Sequence, residues 1–144
     1  MPARRFLAVR GDLAGRRLEH LVEYQLATLG GAAVEGMLVS TFFDYTKTDP
    51  AVQKFVEAYR AKFAGANPDW FAASAYDVVM LVAEAATQAG SNDRAAINDA
   101  LGSMGSYQGI TGTITFDENG DVVKPLSIVT VKDGALATAP IQPK

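Results

Sequence analysis

The spacing of apolar positions changes several times along this 144-residue chain, and each change marks a structural element. Leu18, Leu21, Val22, Leu26 and Leu29 recur at intervals of three and four, which predicts an amphipathic helix over 13–29. Gly30-Gly31 stops it. From Val34 to Phe43 the apolar run is nearly continuous, as in a strand buried on both faces. Asp49-Pro50 then predicts a helix start. The carboxylate can accept bonds from free amides, and proline at the first helical position sacrifices no hydrogen bond. Val52, Phe55, Val56, Tyr59 and Phe63 line one face of that helix, and Gly65 with Asn67-Pro68 ends it.

The helix predicted over Asp69 to Ala89 differs in kind. Val78, Val79, Met80, Leu81 and Val82 wrap its circumference, and alanines elsewhere let neighbours approach closely, a pattern expected of a helix buried on most sides. Gly90 ends it, and Ser91 or Asn92 is expected to cap a further helix carrying Ile97, Leu101 and Met104 on one face. Thr111 to Phe116 alternates, with Gly112, Ile114 and Phe116 on one side. Asp117 to Asp121 reads as a turn, and Leu126 to Lys132 as the next strand, closed by Asp133-Gly134. The tail, 135–144, has two prolines and no pattern that predicts order. The fold class is therefore α/β: helices around a few strands, with a C-terminal β-hairpin.

Composition narrows the chemistry. A hydrophobic content of 49% and a charged content of 20% fit one ordinary folded unit. A net charge of −3 gives no reason to expect nucleic acid as a partner. Arg4, Arg5, Arg10, Arg16 and Arg17 crowd the start, and a short basic stretch of this kind is ordinarily solvated surface. The chain has no cysteine, which excludes disulfides, thiolate metal sites and cysteine nucleophiles. No run is long and apolar enough to span a bilayer. Nor do Met1 to Val9 make a signal peptide, because the apolar run after the arginines is only Phe6 to Val9.

Few residues are candidates for chemistry. Asp117-Glu118-Asn119-Gly120-Asp121 opens like a calcium loop, but the sixth and twelfth positions hold Val122 and Ile128 where glycine and glutamate are needed. Asn119-Gly120 reads instead as a hairpin turn. His20 is the only histidine and lies between Glu19 and Glu23 on a polar face, so no metal or other cofactor is expected. Gly102-Ser103-Met104-Gly105 is not a nucleophile elbow, and no strand precedes it, so no enzyme is expected and there is no catalytic residue to name. Trp70, Phe71 and Tyr76 open the apolar helix. They read either as core or as one wall of a cleft for an apolar side chain, with Phe71 the candidate ligand-binding residue.

Four pieces in order carry a resemblance: GGAAVEGMLVSTFFD, DPAVQKFVEAYRAKF, FAASAYDVVMLVAEAATQAGSNDRAAINDAL and YQGITGTITFDENGDVVKPLSIVTVKDG. Together they resemble the C-terminal part of a type I periplasmic solute-binding protein, leucine-binding-protein-like, of the branched-chain amino acid and amide receptors of ABC transporters. The resemblance implies two α/β lobes joined by a hinge and closing over a small-molecule ligand, an amino acid or amide. It also implies a membrane permease as partner and a periplasmic location.

Members of this family carry an acidic ligand contact in a Gly-Gly-Asp-Gly-like motif shortly before the equivalent of Val34-Glu35-Gly36. Here only Gly11-Asp12 matches, so that role is not carried onto Asp12. Three segments are expected: an atypical arm and helix over 1–29, the family-like region over 30–134, and a tail over 135–144. The expected function is the substrate-binding component of an ABC transporter, present as a fragment with weak or no ligand binding. Without a signal peptide, the alternative location for such a fragment is the cytoplasm. The alternative functions are a sensory ligand-binding domain of the same fold and a self-associating interaction module.

Overall fold

Two small antiparallel sheets, each with its own helices, make up residues 23–143, the part that the computed structural model describes. The first sheet begins with helix α1 (Glu23–Gly30) and a single 3-10 turn (Gly31–Val34), which feed strand β1 (Leu38–Thr41). The first part of the helix predicted over 13–29 lies outside the described residues. β1 pairs antiparallel with β5 (Ser127–Lys132), and β5 pairs with β6 (Ala135–Thr138), so the order is β1-β5-β6. In β5 the alternation is regular: Ser127, Val129 and Val131 are buried. Val131 packs with Ala27 and Val34, and Leu26 and Leu136 close over them.

Two expectations are corrected in this sheet. The tail is not without structure, since Ala135–Thr138 forms β6. Asp133-Gly134 takes positive φ at both residues, the geometry of a tight hairpin turn, which brings the chain back along the free edge of β5. Glu35 holds that turn by accepting from Asp133 N at 2.8 Å and Gly134 N at 3.3 Å. Gln142 then brackets Ile128, donating to its carbonyl and accepting from its amide. The strand expected over Val34 to Phe43 is shorter, and it is not buried on both faces. Val34 turns in a 3-10 helix, and Leu38 is 54% exposed because no described element covers its face.

The second part holds α2 (Pro50–Lys62), α3 (Trp70–Ala89), α4 (Arg94–Ser103) and a sheet of β2 (Ser106–Gly109), β3 (Gly112–Phe116) and β4 (Val122–Val123) in the order β2-β3-β4. Asp49 caps α2 by accepting from Ala51 N and Val52 N, as its position before Pro50 predicts. Asp69 caps α3 through Ala72 N at 2.7 Å. Asp93, not Ser91 or Asn92, caps α4; Ser91 Oγ instead accepts from Asp93 N and sets the approach to the helix. Phe43, Val52, Val56 and Ala73 form the core here, with Tyr45, Phe55, Trp70 and Ile110 packed around them. The segment predicted as Leu126 to Lys132 does not pair with β3; β3 lies between β2, which sequence pattern missed, and the short β4.

α3 departs most from expectation. It buries a single stripe, Ala73, Asp77, Leu81 and Ala85, at the four-residue spacing of one helix face. Val78 and Val79 are 57% and 67% exposed, and Met80 and Val82 are exposed as well. The stripe packs against α2, α4 and β2, while Val78, Val79 and Val82 stay open to water.

The chain passes from the first part to the second through 42–49 and returns through 124–126. Polar bonds tie the first crossing down. Asp44, almost fully buried, accepts from Thr46 Oγ1 and Thr138 Oγ1, each at 2.6 Å, and Lys47 Nζ donates to Ser127 Oγ at 2.8 Å.

Candidate functional site

The two crossings and the start of α3 meet at one cluster of side chains. Phe42 follows β1 directly. Its ring centroid is 5.8 Å from that of Trp70, tilted by 59°. Trp70 and Phe71 are the first two residues of α3, fixed by the Asp69 cap, and their rings stack at 3.7 Å. Ser74 lies one turn further along, at the spacing that shares a face with Trp70 and Phe71. Lys124 comes from the returning crossing, places Nζ 4.7 Å from the Phe42 centroid, and donates to Ser74 Oγ at 3.2 Å.

The local physics is that of a partly open wall. Trp70 and Phe42 are half-buried, so the aromatic cluster is anchored in the core on one side. Phe71 is 50% exposed. An aromatic ring stacked from behind and open in front is a rigid apolar surface with little rotamer freedom left to lose. Burial pulls the Lys124 pKa below the ordinary lysine value, with the Asp77 carboxylate acting in the opposite sense. Its place over Phe42 offsets part of that desolvation, because the ring face attracts a cation.

The candidate residues separate accordingly. Trp70 and Phe71 belong together, whereas Tyr76 turns to α2, with its ring 4.9 Å from Phe55. The Asp117–Asp121 segment is the hairpin turn between β3 and β4: Asp117 Oδ1 accepts from the amides of Asn119 and Asp121. Beside it α4 leaves an open concavity lined by Asn98, Leu101, Gly102 and Phe116. Ser103 donates to the carbonyls of Asp99 and Ala100 within its own helix, the bonding of a helical serine. His20 and Asp12 lie outside the described residues. Among the described residues, no three His, Cys, Asp or Glu side chains are grouped to hold a metal ion.

Sequence reasoning missed three members of the cluster: Phe42, Ser74 and Lys124. Lys124 had a signal, a lone cation between the apolar Val122-Val123 and Leu126. Ser74 had none. It also missed the role of Asp77, a charge inside an apolar run. Asp77 is almost fully buried and accepts from Ile110 N at 2.8 Å, Thr111 N at 2.9 Å and Thr111 Oγ1 at 2.6 Å. It thereby pins the β2–β3 turn onto α3.

The periplasmic binding protein family model matches residues 20–135. Leu/Ile/Val-binding protein homolog 1 of Brucella abortus is 32% identical over 105 residues, which cover 73% of this chain and 28% of that protein. The crystal structure of a leucine-binding protein, LivK, from Thermotoga maritima superposes with a TM-score of 0.67 at 33% identity, over 83% of this chain and 34% of the other. The branched-chain amino acid transporter substrate-binding protein LivJ of Streptococcus pneumoniae, solved with isoleucine, gives 0.62 at 33% identity, over 74% of this chain and 30% of the other. The chain thus spans about 28% of the length of the curated relative it matches.

Proposed function

This chain belongs to the periplasmic binding protein family, with part of the type I fold, and from that premise we propose that it is the C-terminal portion of the substrate-binding component of an ABC transporter for branched-chain amino acids or related small amides. Its homologues are solute-binding proteins and not enzymes, so the chemistry required of the site is recognition. The observation that carries the reading is the half-exposed Phe71, stacked on Trp70, inside the region that the family model matches. In this reading Phe71 is one wall of the ligand cleft and meets an aliphatic side chain. A membrane permease is the partner of the whole protein, and its location is extracytoplasmic. No described helix is long and apolar enough to cross a membrane.

One wall binds weakly. Complete burial of a leucine-sized side chain is worth about 1.5–3 kcal/mol, and a single open face removes only part of that area from water. Millimolar affinity already requires about 4 kcal/mol. The 144-residue chain is therefore expected to bind free leucine, isoleucine or valine no better than weakly. Calorimetry tests this: small, non-saturating heats fit the reading, and micromolar binding by the chain alone would overturn it.

The exposed face of α3 favours a second reading, self-association. Val78, Val79 and Val82 lie within about one turn of each other and are open to water. Contiguous apolar surface of this kind drives association. A second copy of the chain would supply the layer that the described residues do not.

A further inference from the structure

Asn119-Gly120 sits at the tip of the β3–β4 hairpin, away from the aromatic wall. Both residues are exposed, so water reaches the Asn119 side-chain amide. The carbonyl carbon of such an amide can be attacked by the backbone nitrogen of the next residue, which closes a succinimide ring. A side chain on that next residue obstructs the approach, and glycine has none.

The chain has three other asparagines, and each is placed less favourably. Asn67 precedes Pro68, whose nitrogen carries no hydrogen to lose. Its Oδ1 is also held by Arg60, from Nε at 3.0 Å and Nη2 at 2.7 Å. Asn98 lies inside α4, where the following amide points along the helix to an earlier carbonyl. Asn92 precedes Asp93, whose side chain crowds its own nitrogen and whose amide donates to Ser91 Oγ at 3.0 Å.

The turn restrains Asn119 as well as presenting it. Gly120 N donates to the Asp117 carbonyl at 3.0 Å, and Asp117 Oδ1 accepts from Asn119 N and Asp121 N, each at 2.9 Å. Gly120 N must leave its bond to Asp117 before it can attack, and the Asp117 carboxylate keeps the tip closed. We propose that Asn119-Gly120 is a site of spontaneous deamidation, with Asp117 setting its rate by holding the turn. In the reaction Gly120 N gives its proton to water or hydroxide and bonds to Asn119 Cγ, and the side-chain nitrogen leaves as ammonia. Water then opens the succinimide. Cleavage from Cγ yields aspartate in a normal backbone. Cleavage from the main-chain carbonyl carbon yields isoaspartate, with the backbone routed through the side chain. Either product adds a carboxylate beside Asp117, Glu118 and Asp121 and lowers the net charge of −3 by one. Isoaspartate also lengthens the turn by one methylene, which works against the pairing of Thr115 with Val123 and of Phe116 with Val122.

The intact 144-residue chain is incubated at constant temperature and mildly alkaline pH, in buffer and in denaturing urea. Asp117→Ala and Asn119→Gln are incubated beside it, each checked for its fold in buffer by circular dichroism. Samples taken over time are separated by isoelectric focusing and mapped by peptide mass spectrometry. The mass gain of an amide-to-acid conversion should appear first at Asn119, before Asn67, Asn92 or Asn98, with an acidic band that grows alongside it. Asn119→Gln should remove that band, because glutamine would have to close a larger ring. Asp117→Ala should speed the conversion about tenfold, the shift in open turn expected from losing one charge-assisted bond, and urea should speed it too. Conversion that appears first at Asn92 or Asn98, no conversion at Asn119 in the folded chain, or equal rates with and without the Asp117 carboxylate would overturn the proposal.

Discussion

Asp77 offers the sharpest test of how this fold holds the β2–β3 turn on α3. Replacing it with alanine leaves three donors without an acceptor: Ile110 N, Thr111 N and Thr111 Oγ1. The hydroxyl can rotate toward another partner, but the two backbone amides cannot. Each unsatisfied buried donor costs about 1–3 kcal/mol, so Asp77→Ala should destabilise the chain by about 3–5 kcal/mol. For a protein of this size that is a fall in Tm of about 10 °C.

Gly109 adds a second handle. A Cβ built there would lie 2.6 Å from Asp77 Cγ, so Gly109→Ala forces the carboxylate out of its place. In the Asp77→Ala background the obstruction is gone. The two substitutions should therefore be strongly non-additive, with the double variant more stable than the sum of the singles by well over about 0.5 kcal/mol. Urea unfolding at fixed protein concentration, with a constant m-value, measures all four corners of the cycle. An Asp77→Ala effect below about 1 kcal/mol, or additivity within error, would mean that the buried carboxylate does not pin the β2–β3 turn to α3.

Further outcomes follow from other parts of the chain. Asp49→Ala removes the α2 cap and should cost about 1 kcal/mol in the same urea assay, with any ligand response unchanged. Light scattering should show a dimer or larger species, and Val79→Lys, which charges a highly exposed residue of the α3 face, should shift it to monomer. The Asp117 carboxyl is held below the ordinary aspartate range by the backbone amides of Asp121 and Asn119. Its folded pKa is thus lower than its unfolded one. The stability it contributes is complete above the unfolded value and is lost as pH falls through the folded one, a dependence that an NMR pH titration should show and Asp117→Asn should remove.

Local signals in the residues account for the elements that periodicity and capping predict correctly. The helix starting at Asp49-Pro50 is legible because a cap, a proline and a periodic face agree at one place, and all three are local. So is the turn at Asn119-Gly120, which a positive φ at Gly120 and the Asp117 side chain set locally. β6 is not, because it exists through pairing with the edge of β5 and not through its own composition. The exposure of Val78 and Val79 is not legible either. An apolar circumference states what a helix requires, not what the chain supplies, and here only the Ala73–Ala85 stripe finds neighbours among the described residues. At the candidate site, Phe71 can be picked out as an aromatic at a helix start. Lys124 and Ser74 cannot be joined to it, because a contact across 50 residues leaves no periodic trace.

The claim that the Phe42–Trp70–Phe71–Lys124 cluster is one face of a ligand cleft is tested most directly by mapping isoleucine onto the 15N-labelled chain by NMR. The account predicts graded, fast-exchange shifts that grow with isoleucine concentration and centre on Phe42, Trp70 to Ser74 and Lys124. Shifts centred instead on the Asp117–Gly120 turn or on the Asp49 end of α2, or no shifts at any concentration, would contradict it.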